Sequence, residues 1–127
     1  MGPVLRSSMF PRWMRWGIRR LLGPNHPLEQ YVPWLACELS RNDTFSLVHA
    51  GQSLSRYDAR VFASALGKPA ASMVTTRDRL VKPRKQRALA DALNAFVVEV
   101  PDDHLASWTS PDAFAKATVQ LVQHVVG

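Results

Sequence analysis

Two residues of the chain, Asp78 and His104, have the types and positions that acid–base chemistry requires. Each follows an apolar run: Asp78 comes two residues after residues 70–76, and His104 comes four residues after residues 96–100. An aspartate that accepts a hydrogen bond from an imidazole N–H fixes the ring tautomer and stabilises the imidazolium, which leaves the other ring nitrogen as a general base. Such a pair supplies two of the three members of a nucleophile triad.

The two runs predict the elements that must position this pair. Residues 70–76 are short, uncharged and partly β-branched, which predicts a strand buried on both faces, and residues 96–100 predict a second strand. Between them, Pro83 begins a predicted helix that continues to about Ala95 and keeps a helical apolar period.

A last helix follows the second strand. Ser110 is its predicted cap, with Pro111 at the first position and Asp112 in the first turn, and its apolar residues are Phe114, Leu121, Val122 and Val125. The resulting βαβα order predicts parallel strands, a right-handed crossover and helices against the sheet. Because functional groups collect at the carboxyl ends of parallel strands, we expect Asp78 and His104 within hydrogen-bond reach.

The second half of the chain closely resembles the carboxyl-terminal part of α/β-hydrolases. The resemblance rests on residues 77–83 (Arg-Asp-Arg-Leu-Val-Lys-Pro), 87–93, 97–100, 103–104 and 110–114. It implies that Asp78 is the catalytic acid and His104 the catalytic base. Asp103 stands where many relatives have Gly, and its carboxylate should favour protonated His104. The fold class implied is α/β, a partial α/β-hydrolase fold with two parallel edge strands in residues 67–127.

Residues 1–66 resemble the helical cap that such enzymes carry before the acid. Residues 12–22 predict a basic amphipathic helix, residues 28–41 a second helix, and Asn42 or Asp43 can cap a third that runs to about Ser53. Residues 56–69 predict a loop with at most a turn of helix. If this segment is a cap, its Trp13, Trp16 and Trp34 suggest a small apolar acyl or ester substrate. Trp34 and Trp108 are expected to be packing residues.

The third member of the triad is missing from the sequence. No G-x-S-x-G motif occurs, and the nearest string, Gly51-Gln-Ser-Leu-Ser55, has Ser at the second Gly position. Ser53 also precedes Asp78 by too few residues for the strand and helices that must fit between them. We therefore expect a carboxyl-terminal fragment that is inactive alone, and an exposed sheet edge that favours self-association.

The net charge of +6 divides into two clusters, residues 1–28 and residues 77–87. The second, with Arg77, Arg79, Lys82, Arg84, Lys85 and Arg87, leaves a small nucleic-acid-binding module as an alternative function, although Asp78 inside it disfavours nucleic acid. The basic helix of residues 12–22 leaves a membrane-surface-binding module as another alternative function. The competing interpretation of this helix is that it docks its Trp/Leu face on the protein and exposes its arginines to solvent.

Other residue types give no site. One cysteine, Cys37, excludes an internal disulfide and is expected as a small apolar residue on a helix. His26, His49 and His124 lack metal-ligand spacing, so no metal and no cofactor are predicted. Without a secretory signal or an apolar run long enough to span a bilayer, we expect a cytoplasmic protein.

Overall fold

The computed structural model describes residues 10–127. The chain divides into two compact units, one ending at Tyr57 and one comprising Asp58–Gly127. Residues 1–9 of the predicted helical segment lie outside the described residues. Among residues 10–127, the structure is mostly helical with one parallel sheet of two strands, so the mixed α/β class is confirmed.

The first unit consists of helices. They are α1 (Phe10–Leu22), a 3₁₀ turn (Glu29–Tyr31), α2 (Val32–Arg41) and α3 (Thr44–Arg56). Helix α1 packs against α2, and the side chains of Val32 and Ala36 are buried. The carboxylate of Asp43 caps α3 by accepting the N–H of Ser46 at 2.8 Å, which confirms one of the two predicted caps.

The second unit contains the sheet. Its elements in chain order are α4 (Arg60–Ala63), a 3₁₀ turn (Ser64–Leu66), β1 (Ala71–Thr75), α5 (Pro83–Ala92), β2 (Phe96–Val100), α6 (Ala106–Thr109) and α7 (Pro111–Val126). Helix α5 ends before the predicted Ala95, because Asn94 adopts the left-handed conformation (φ 49°) that turns the chain into β2.

The two strands pair in parallel, with Ala71 opposite Phe96 and Thr75 opposite Val100. Helix α7 covers one face, where Val100 and Ala117 form the buried core with Met73, Val98 and Phe114 against them. Helix α5 packs against β1, and its Arg87 pairs with Glu99 at 2.7 Å on the other face. Strand alternation also puts the fully buried Val74 on that face.

Two sequence predictions for these elements are wrong. Strand β1 is not buried on both faces, since only Val74 of its residues is fully buried in a sheet of two strands. Ser110 makes no side-chain cap on α7. The core side of α7 is centred on Ala117, and Val122, which lies about 140° around the helix axis from Ala117, is 53% exposed.

Among the described residues, no strand pairs with the outer edge of β1. The N–H of Thr76 donates to Val100 O, so the even-numbered residues of β1 face β2 and the odd-numbered ones face the open edge. At that edge the N–H of Thr75 donates to the side chain of Gln86. Strand β1 carries no charge or proline of the kind that usually protects an edge strand.

This edge predicts opposite effects for proline at two adjacent positions. Ala71→Pro removes an outward N–H, so it should leave the fold intact and weaken concentration-dependent self-association measured by sedimentation equilibrium. Ser72→Pro removes an N–H directed at β2 and should lower the free energy of unfolding by about 1–3 kcal/mol. A wild-type chain that unfolds cooperatively as a monomer at every concentration would contradict association through this edge.

Candidate active site

The candidate site lies at the carboxyl ends of the two strands. The backbone pairing continues past β1, because the N–H of Thr76 donates to Val100 O and the N–H of Arg77 donates to Asp102 O. The chain then turns, with the N–H of Asp78 donating to Thr75 O. These bonds bring the turn after β1 beside the loop after β2, so their side chains can meet.

The carboxylate of Asp78 is the centre of the site, and it is only 4% exposed. Its Oδ1 accepts the backbone N–H groups of Leu80 and Val81 at 2.8 and 2.9 Å. Its Oδ2 accepts from Gln86 Nε2 at 3.0 Å and Thr75 Oγ1 at 3.2 Å. A buried carboxylate with this many donors is held in one orientation.

His104 supplies a further contact to the same oxygen. Its Nδ1 lies 2.9 Å from Asp78 Oδ2, as the parallel topology predicts, and its side chain is 47% exposed. Because ionised Asp78 can only accept, Nδ1 carries the proton in this contact. Within residues 10–127, Nε2 has no hydrogen-bond partner in the structure, so in the neutral ring it has a lone pair available.

The surroundings keep Asp78 ionised. Burial raises the pKa of the Asp78 carboxyl, but the hydrogen bond from His104, those from the Val81 and Leu80 N–H groups, and the charge of His104 together lower it below the ordinary value of 3.8. The anion therefore persists at neutral pH and can stabilise a positive charge on the imidazole.

A second carboxylate shapes the loop that carries His104. Asp102 accepts the Asp103 N–H at 2.7 Å and the Thr109 hydroxyl at 2.8 Å. Burial raises the pKa of Asp102, and hydrogen bonds from Ser110, Asp103 and Thr109 with the charge of Arg77 lower it overall. Asp103 accepts the N–H of Leu105 at 2.8 Å, and its predicted effect on the protonation of His104 stays a prediction.

Sequence reasoning missed Gln86 and Thr75. Besides Asp78, the Gln86 amide donates to Val81 O at 2.7 Å and accepts the Thr75 N–H at 2.9 Å, so it links α5, the turn and β1. The available signal was one uncharged amide inside the basic run Arg84-Lys-Gln-Arg87, one turn into the helix that follows the acid.

The remaining candidates do not join the site. Ser53 lies within α3 and is exposed, and residues 45–50 before it are helical, so it has no strand-to-helix elbow. Cys37 is exposed rather than packed. Trp34 and Trp108 are 55% and 63% exposed, so the prediction that they are packing residues is wrong.

No further ligand set emerges from the part of the chain that the structure describes. Within it, no group of three His, Cys, Asp or Glu side chains could hold a metal ion. His124 stacks on Phe96 with ring centroids 4.3 Å apart, and His26 accepts the Leu28 N–H at 3.1 Å. In the basic cluster of residues 77–87, Arg87 is paired with Glu99. Nucleic-acid binding by that cluster stays a prediction.

Comparison of the chain with protein-family models, with curated proteins and with solved structures found no match in any of the three. Among residues 10–127, no helix has both the length and the apolarity needed to cross a bilayer.

The lowered pKa of Asp78 predicts a pH-dependent contribution to stability. A carboxyl whose folded-state pKa lies below its unfolded value stabilises the fold fully above about pH 4, and loses this contribution as the pH falls through the folded pKa. Asp78→Asn should lower the free energy of unfolding by about 1–3 kcal/mol at pH 7. The free energy of unfolding of this variant should also decrease less steeply than that of the wild type as the pH is lowered. Denaturant titrations at several pH values measure both effects. The exposed Asp91→Asn is the control, and an equal response of the two variants would contradict the network.

The links made by Gln86 predict a second stability effect. Gln86→Leu leaves the Thr75 N–H and one Asp78 oxygen with fewer partners, so the free energy of unfolding should fall by about 1–3 kcal/mol. Gln120→Leu on the exposed part of α7 should change it by less than about 0.5 kcal/mol. Denaturant unfolding compares the two. A Gln86→Leu protein as stable as the wild type would show that the amide does not brace the turn.

Proposed function

We propose that the second unit carries the acid and base of a serine-type acyl hydrolase of the α/β-hydrolase fold. The observation that carries the proposal is the contact of 2.9 Å between His104 Nδ1 and a buried, ionised Asp78 at the carboxyl edge of adjacent parallel strands. The order strand, acid, helix, strand, histidine agrees with the sequence resemblance. A loop acid that only stabilised its turn would not need an imidazole whose second nitrogen is unoccupied.

In the proposed reaction, Nε2 of His104 takes the proton of a nucleophilic hydroxyl as this hydroxyl attacks the acyl carbon. Asp78 stabilises the resulting imidazolium through Nδ1–H. The imidazolium then donates its proton to the leaving alkoxide, which departs as an alcohol and leaves an acyl-enzyme. A water molecule, deprotonated by the same Nε2, hydrolyses that ester and restores the hydroxyl.

The nucleophile is proposed to come from polypeptide outside this chain, either from the same reading frame upstream or from a separate chain. Two features support this: Ser53 has no elbow, and the uncharged outer edge of β1 has backbone groups free to pair with another strand. Without the nucleophile the chain is expected to be inactive. Small apolar acyl or ester compounds are the proposed substrate class.

The test joins residues 1–127 to the polypeptide that the same frame encodes upstream. We expect a fluorophosphonate probe to label an upstream serine and 4-nitrophenyl butyrate to be hydrolysed. His104→Ala should lower kcat/KM by about 10²–10⁴-fold, because it removes the general base. His49→Ala, an exposed histidine of α3, is the matched control and should leave kcat/KM unchanged.

The chain without any upstream polypeptide is the negative control. Residues 1–127 should show neither labelling nor saturable ester hydrolysis. Robust activity that Ser53→Ala abolishes would overturn the proposal that the nucleophile comes from elsewhere. Activity of the extended protein that is indifferent to His104→Ala would overturn the proposed role of the Asp78–His104 pair.

A further inference from the structure

Helix α1 has two different faces. Met14, Ile18 and Leu22, spaced four residues apart, are half-buried on the helix that packs against α2. Trp13 and Trp16 lie roughly 170° around the helix axis from them, and 60% and 61% of their surfaces are exposed. Within the first unit, the half-buried side of α1 is therefore not the side that carries Trp13 and Trp16, which disfavours docking of the Trp/Leu face on that unit.

The exposed tryptophans lie among cations. Arg20 is on their side of α1, with its guanidinium carbon 5.5 Å from the Trp16 ring centroid, and Arg12, Arg15 and Arg19 form a stripe along the border. We call these six residues the Trp–Arg face. Arg19 lies 3.4 Å from Glu29, whereas Arg12 and Arg15 are exposed and make no ion pair with the carboxylates that the structure describes.

We propose that the Trp–Arg face binds the headgroup layer of an anionic lipid bilayer. Residues 10–28 contain four arginines and no acid, so the surface is complementary to a layer of negative charge. Indole rings are favoured at the boundary of headgroups and acyl chains, and guanidinium groups bind phosphates through two parallel hydrogen bonds.

The geometry makes this contact peripheral and shallow. Met14, Ile18 and Leu22 are half-buried, so the apolar groups that α1 presents to the boundary region are Trp13 and Trp16 with the partly exposed Leu21. The helix would then lie in the plane of the membrane with its arginines at phosphate level. This binding is independent of the proposed hydrolase chemistry, which involves only the second unit.

A bilayer fits the Trp–Arg face better than a single-stranded nucleic acid does. Proteins that stack bases combine aromatic platforms with a charged groove, whereas these tryptophans project from the convex surface of one helix. The guanidinium of Arg20 also lies over one face of the Trp16 ring, 5.5 Å from its centroid. A flat, anionic layer needs neither a groove nor a free ring face.

The test is sedimentation of the full chain with large unilamellar vesicles of phosphatidylcholine, with and without phosphatidylserine. We expect binding only to the anionic vesicles, and weaker binding at higher salt. Arg12→Glu/Arg15→Glu should lower the partition coefficient at least about 25-fold, since each arginine near the surface contributes about fivefold. Trp13→Ala/Trp16→Ala should lower it on the order of tenfold.

Matched controls separate this surface from net charge and aromatic content. Arg79→Glu/Arg84→Glu in the second unit changes the net charge by the same amount, and Trp108→Ala removes a tryptophan of similar exposure. Both should retain wild-type binding. Circular dichroism of every variant checks that the exposed substitutions leave the helices folded.

Three results would overturn the proposal. One is absence of binding to phosphatidylserine vesicles at low salt, which would leave a protein partner for this face. A second is an equal loss of vesicle binding in the Arg79→Glu/Arg84→Glu control, which would show that binding depends on net charge and not on the Trp–Arg face. The third is retention of a labelled single-stranded oligonucleotide that competes with vesicles and is lost in the Trp13→Ala/Trp16→Ala variant.

Discussion

A carboxylate removed from water must find its hydrogen-bond donors inside the protein, and this constraint organises the second unit. Asp78 meets it with donors from several elements. They are Thr75 at the end of β1, the N–H groups of the following turn, Gln86 in the first half of α5, and His104 after β2. The βαβ crossover is thus joined at one point, and a shift in strand register would leave a buried charge without its partners. The Val74 and Val100 side chains add apolar burial, which is much less directional.

The same contacts that stabilise the turn orient the imidazole. Leu80 and Val81 saturate Oδ1, so Oδ2 is left to the side chains and its direction towards His104 is fixed. Nδ1 then carries the proton whenever the ring is neutral, and Nε2 is the basic nitrogen. Stability and the proposed chemistry therefore depend on one set of hydrogen bonds, and a substitution in it alters both.

The sequence was sufficient for features that depend on local pattern or on topology. Apolar runs located both strands, and parallel pairing then brought Asp78 and His104 together across 26 residues. Features set by tertiary packing were not predictable in this way. The amide of Gln86 bonds to the backbone of the turn after β1, at Val81 O, and no apolar periodicity encodes the path of that turn. Trp108 is an apolar residue of the kind that usually packs, yet it is 63% exposed in the structure.

One added strand would supply what both the His104 imidazole and the outer edge of β1 require. Among residues 10–127, no hydroxyl lies within hydrogen-bond reach of Nε2 of His104, and no strand pairs with the outward backbone groups of β1. A parallel strand added at β1 would extend the sheet, bury more of its faces and end at the same carboxyl edge as the Asp78–His104 pair. Residues delivered from that enlarged edge would reach the imidazole, because all parallel strands of a sheet end on one side. One added segment would therefore complete both the sheet and the proposed triad, which is why we favour a nucleophile from outside the chain over Ser53 within it.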